Sequence, residues 1–217
     1  MDIYNFLVTV AVYAIPVVFA ITLHEAGHAY AAKYFGDTTA YMMGRISLNP
    51  ARHIDLVGTI LLPLVTVFLS GFMFGWAKPV PVNFQNLRSP KRDMMWVAAA
   101  GPGANLAQAA LWALGAKLML VALPASQVGT FWLAVAEAGI QVNVVFAILN
   151  LFPLLPLDGG RMLSSLLPGR LSQAYARLEP YGLMILVLLI VSGALSWLLR
   201  PVVNGTLRNI YSVVGLQ

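Results

Sequence analysis

The run over residues 4–34 decides what this chain can become. It is apolar almost throughout and exceeds the roughly 20 residues that a helix needs to cross a bilayer. Near its C-terminal end, however, it carries His24-Glu25-Ala26-Gly27-His28. Lipid offers the backbone no hydrogen-bond partner, so a run of this kind is helical. Four apart on a helix, His24 and His28 share one face and can bind one metal ion. Glu25 projects beside them, where it can take a proton from water held at the metal. A charge deep in lipid costs roughly 2.5–3.5 kcal/mol on insertion scales, which argues against Glu25 being there by accident. A merely packed histidine pair is the bland alternative.

Four more apolar stretches follow, at about 54–76, 94–123, 131–157 and 181–199. Of the 217 residues 59% are hydrophobic and 10% are charged. Soluble domains average about 25% charged residues, so the expected fold is an all-α polytopic membrane protein. It forms a single domain over 1–217, with four to five transmembrane helices and room for a short β element near the active site. The net charge of +5 does not signal nucleic acid: no RNA-binding motif is present, and the basic residues sit in loops, as orientation signals and headgroup contacts do. The chain has no cysteine, which excludes disulfides and thiolate ligands and leaves His, Asp and Glu for a metal. The first run lacks a basic leader region and is too long for a cleavable signal peptide. The tail, 201–217, is polar enough to lie on the membrane surface.

The stretch 54–76 carries Gly58, Pro63, Ser70-Gly71 and Gly75. Such breakers fit a bent, re-entrant segment as well as a spanning helix. Charge bias separates the two. If the stretch crosses, the loop Lys and Arg residues divide seven against five; if it dips and returns, they divide ten against two, a clear positive-inside signal. Zinc chemistry points the same way. A catalytic zinc usually has three protein ligands and an open position, and the best remaining candidate is Asp158, at the end of the stretch 131–157. A re-entrant second stretch brings Asp158 to the face that carries His24 and His28, whereas a crossing one separates them. The alternative for Asp158 is a turn residue before Gly159-Gly160.

Three motifs in order then resemble the site-2 protease family of intramembrane zinc metalloproteases. They are His24-Glu25-Ala26-Gly27-His28, then Gly101-Pro102 with Asn105, then Asn150 and Pro153 followed by Leu157-Asp158-Gly159. His53-Ile54-Asp55 with Gly58, and Gly75-Trp76-Ala77-Lys78-Pro79-Val80-Pro81, also look like this family. The resemblance implies one Zn2+ per chain on His24, His28 and Asp158, with Glu25 as catalytic base. It further implies that Asn105 and Asn150 orient substrate or frame the site. The PDZ or CBS domains that members often add have no room here, so the chain looks like a minimal form.

The expected substrate is the transmembrane helix of another protein, and the expected setting is the cell membrane with the active site nearer the cytoplasmic face. The loops 36–49 and 54–83 are expected to hold an unwound substrate. The contrasting class is a zinc-holding adaptor or metal carrier without catalysis. His53 reads either as a substrate contact or as a loop or capping residue. Asn143 and Gln108 read as interhelical hydrogen-bonding groups, and Glu137 as interfacial. Gly101-Pro102-Gly103 reads as close helix packing and a kink, and the five tryptophans as packing or interface anchors.

Overall fold

The computed structural model describes residues 2–62, 64, 65, 68, 78–122 and 127–216. Helix α1 (Ile3–Tyr34) begins where the Asp2 carboxylate accepts the Asn5 N–H at 2.8 Å, which satisfies one otherwise orphaned donor of its first turn. A short helix α2 (Thr39–Met42), a 3-10 turn (Pro50–Arg52), a π-helical turn (Leu56–Leu61) and a second 3-10 turn (Phe84–Asn86) lead to α3 (Pro90–Ala122). Then come α4 (Gln127–Asn150), α5 (Asp158–Leu166), α6 (Gly169–Ala176), α7 (Glu179–Val191) and α8 (Ala194–Val214). Among the described residues there is no β-strand, so the short β element is not found there. Helices α1 and α3 and residues Val128–Asn150 of α4 are long and apolar enough to cross a membrane, and α6 with α7, bent by 62°, makes a fourth if counted as one span. The all-α polytopic membrane fold is borne out.

Helices α1, α3 and α4 pack on small residues, which let backbones approach where lipid supplies no hydrophobic drive to associate. Ala20, Ala29 and Ala32 of α1 are fully covered, as are Ala109, Ala113 and Ala116 of α3. Large side chains such as Leu7, Phe19, Leu111, Leu118, Leu183 and Leu188 point outward. In water these would be an aggregation hazard; in a bilayer they face acyl chains.

Three boundaries differ from the sequence expectation. The helix of 131–157 stops at Asn150, and the residues after it form a tight loop in which Phe152 N–H donates to Leu149 O and Leu157 N–H to Leu154 O. The stretch 181–199 is two helices, α7 and α8, separated at Gly193, whose φ of 74° lies in the left-handed region that a β-carbon disfavours. The tail is helical and packed: Leu199, Val203, Leu207, Ile210, Tyr211 and Val214 of α8 lie on the buried cluster of Ala109, Ala113, Ile140, Val144 and Ile148. Lys117 Nζ caps α8 by donating to Val214 O at 2.6 Å.

Most of the second half of the stretch 54–76 lies outside the described residues, so its crossing or re-entry is not described. Its flanks are. Lys78 N–H donates to His53 O at 3.0 Å, so the residues flanking that stretch are hydrogen-bonded to each other.

Candidate metal centre

Two histidines of α1 and the acid that begins α5 meet at one point. His24 and His28 lie one turn apart on α1, and their Nε2 atoms are 3.1 Å apart. Asp158 Oδ2 is 3.3 Å from each of them. Asp158 owes its place to the tight loop after α4. Gly159 lies against the backbone of Leu151 and Phe152, and Gly160 against Leu154 and Leu155, with no space for a β-carbon at either. Tyr175 Oη donates to Pro153 O at 3.0 Å and closes the far side of the loop. Gly101 of α3 forms the back wall, since a methyl there would collide with both the His28 and His24 rings. This is the close packing expected of Gly101-Pro102; Gly103, by contrast, faces open space.

The second nitrogens define the chemistry of the first. His28 Nδ1 lies 2.7 Å from the Val97 carbonyl, which only accepts, so Nδ1 carries the proton. Asn105 Nδ2 donates to Ala20 O at 3.1 Å and to Asn143 Oδ1 at 2.9 Å. Its Oδ1 therefore faces His24 Nδ1 at 2.6 Å as an acceptor. Asn143 is oriented in turn by donating from Nδ2 to Gly139 O at 2.9 Å. Both rings, when neutral, thus present bare Nε2 lone pairs to each other and to a carboxylate oxygen. Asp158 Oδ2 is buried without a hydrogen-bond partner among the described residues. A proton can bridge one pair of these three acceptors at a time, whereas a cation answers all of them. A tetrahedron with zinc bonds of about 2.0–2.2 Å has edges of about 3.3–3.6 Å, close to the triangle found, so the donor set fits zinc.

The carboxylate of Glu25 is not among the ligands. Its Oε2 accepts the Val80 N–H at 2.7 Å. The segment carrying Val80 is strapped to the loop after α1. Asp37 accepts from Asn83 N–H at 2.8 Å, from Thr39 N–H at 3.0 Å and from Asn86 Nδ2 at 3.2 Å. Burial by itself pushes the Asp37 carboxyl up, but these bonds and that from the Thr39 hydroxyl outweigh it and hold the group below its ordinary range. Arg88 N–H adds a bond to Phe35 O at 2.9 Å.

The other candidates fall around this centre. Asn105, fully buried, lies behind His24 with its amide occupied on three sides. Asn150 ends α4, its Nδ2 donating to Phe146 O at 3.0 Å. His53 is fully buried in the loop before the second stretch, with Nε2 2.8 Å from Ser47 O and Nδ1 without a partner among the described residues. Asn143 makes the interhelical bond expected of it, while the buried Gln108 amide finds no partner among the described residues. Sequence reasoning placed Val80 in a family-like run but gave it no role of its own. The one signal for it was Pro79-Val80-Pro81, in which Val80 holds the one main-chain donor.

Partners of metal-bound imidazoles typically tune affinity 10–100-fold. Asn105→Leu is therefore expected to weaken zinc binding by about that factor, read by competition with a chelator. Wild-type affinity in the variant would refute a positioning role for this amide.

Against known proteins, the pattern of peptidase family M50 matches residues 12–193. The chain is 36% identical over 198 residues, 88% of its own length and 84% of the relative's, to "Putative zinc metalloprotease YwhC" of Bacillus subtilis. It is 33% identical over 177 residues to "Putative zinc metalloprotease Rip2" of Mycolicibacterium smegmatis, covering 82% of this chain and 65% of that one. The Rip2 protein of Mycobacterium tuberculosis is 30% identical over 178 residues, again 65% of its length. No solved structure matches the chain. A family pattern over most of the sequence, a relative aligned nearly end to end and a zinc-shaped donor triangle agree, and the chain belongs to peptidase family M50, the site-2 protease family of zinc metalloproteases.

Proposed function

We propose that this protein hydrolyses a peptide bond within or near the transmembrane segment of another membrane protein, with Glu25 as general base. The observation that carries the reading is the triangle of His24 and His28 on membrane helix α1 with Asp158 at the start of α5, with Glu25 beside the ligands and not one of them. Bound zinc would supply a Lewis acid that makes water nucleophilic near neutral pH and polarises the scissile carbonyl. Glu25 Oε2 is taken by Val80, so Oε1 is the oxygen assigned to accept the water proton and deliver it to the leaving nitrogen. The products are a carboxylic acid and an amine. His24 and His28 are held in one tautomer by Asn105 and Val97, which keeps both Nε2 lone pairs on the metal side.

A peptide bond in a helix has its carbonyl hydrogen-bonded, so the substrate must unwind before attack. We assign its reception to the loops 36–49 and 54–83, of which Val80 lies beside Glu25. The ten-to-two charge bias supports placing that face in the cytoplasm, with a transmembrane protein and the surrounding lipid as partners. A spare carboxylate beside a complete ligand set favours hydrolysis over zinc carriage.

The test is metal removal from protein reconstituted in liposomes with a helical membrane substrate. Chelation is expected to abolish cleavage, and one equivalent of Zn2+ to restore it. Cleavage that survives removal of the metal would contradict the proposal.

A further inference from the structure

Glu25 on its own has three side-chain torsions and, among the described residues, one hydrogen-bond donor to fix them. That donor is a main-chain N–H. Val80 donates to Glu25 Oε2 at 2.7 Å, and Val80 itself is buried against Ala29, Ala40 and Ile46. The same peptide unit is held at its other end. Arg45 Nη2 donates to Pro79 O at 3.3 Å and to Lys78 O at 3.1 Å. In a trans peptide the carbonyl of Pro79 and the N–H of Val80 point in opposite directions from one plane. A cation therefore grips the oxygen end of this plane while the carboxylate takes the hydrogen end. Hydrogen bonds to charged groups are the strong ones, and bonds in series polarise each other.

The flanking residues serve the same arrangement. Pro79 and Pro81 fix their own φ and bias Lys78 and Val80 toward extended backbone. Neither proline has an N–H, so Val80 N–H has no neighbouring donor to compete with it. Lys78 N–H is committed to His53 O and Asn83 N–H to Asp37 Oδ2.

We propose that the Pro79–Val80 peptide, clamped by Arg45, sets the direction of the Glu25 carboxylate, making Arg45 a positioning residue for proton transfer. The inference rests on the reading of Glu25 as base and adds a group that acts on it through the Pro79–Val80 peptide.

The experiment compares Val80→Pro, which deletes the N–H, with Val80→Ala, which keeps it and trims the same side chain. Both are assayed as full-length protein in liposomes on the helical substrate, with zinc content measured. The kcat of Val80→Ala is expected to exceed that of Val80→Pro by about 10–100-fold, the cost of a misplaced catalytic group, with KM and zinc content alike in the two. Equal kcat values would overturn the proposal. If Val80→Pro does not retain zinc, variants of Arg45 decide the matter. There, Arg45→Met lowering kcat at constant KM and zinc, with recovery in Arg45→Lys, supports the clamp; Arg45→Met at wild-type kcat overturns it. Glu25→Gln separates the two claims. Its survival as an active enzyme removes the base itself, whereas an inactive Glu25→Gln beside a fully active Val80→Pro removes the clamp alone.

Discussion

Glu25→Gln is expected to keep its zinc and lose cleavage by roughly 10²–10⁴-fold, the range a positioned general base supplies. The two results are separable because Glu25 contributes no donor to the triangle of His24, His28 and Asp158. The amide is nearly isosteric and can still accept the Val80 N–H through its oxygen, so the strap over residues 78–83 has no reason to move. What the amide lacks is basicity. Metal content is read by elemental analysis and cleavage on the helical substrate, in one preparation. Full activity in Glu25→Gln would eliminate it as the base, and zinc lost together with activity would make it a ligand.

Asp158→Asn is expected to fail in the other way. It removes the one anionic ligand and leaves two neutral imidazoles facing an amide, a poorer donor for zinc. Partners of metal ligands already change affinity 10–100-fold, and loss of a ligand should exceed that, by more than about 100-fold. Zinc should then be absent after dialysis, with cleavage undetectable. The loop is not expected to unfold, since Gly159, Gly160 and Tyr175 hold it by backbone contacts that the side chain does not share. Helical content by circular dichroism should match wild type. Undiminished zinc in Asp158→Asn would remove it from the ligand set.

Much of this was legible in the chain itself, for identifiable reasons. Helical period placed His24 beside His28, and the cost of charge in lipid marked Glu25. Topology required Asp158 to return to the same face, and the hydrogen bond between Lys78 and His53 brings the two flanks of the second stretch together. Other features were beyond a linear reading. Residues 151–157 are as apolar as the helix before them, so hydropathy carried α4 seven residues too far; the turn is set by the close approach of Gly159 and Gly160. Residues 201–217 carry Arg208 and several polar groups, which hid an apolar stripe through Val203, Leu207, Ile210 and Val214 that packs on α3 and α4. The bond from Val80 to Glu25 joins residues 55 positions apart through a main-chain atom. Side-chain chemistry gives no hint of it beyond the two prolines.

Everything proposed for the site depends on one cation shared between α1 and the first residue of α5. X-ray absorption at the zinc edge on the purified, membrane-extracted protein addresses it directly. One zinc per chain is predicted, with two imidazole nitrogens and a carboxylate oxygen at about 2.0–2.2 Å. A purified chain that takes up no zinc, or a zinc sphere with fewer than two imidazoles, would contradict it.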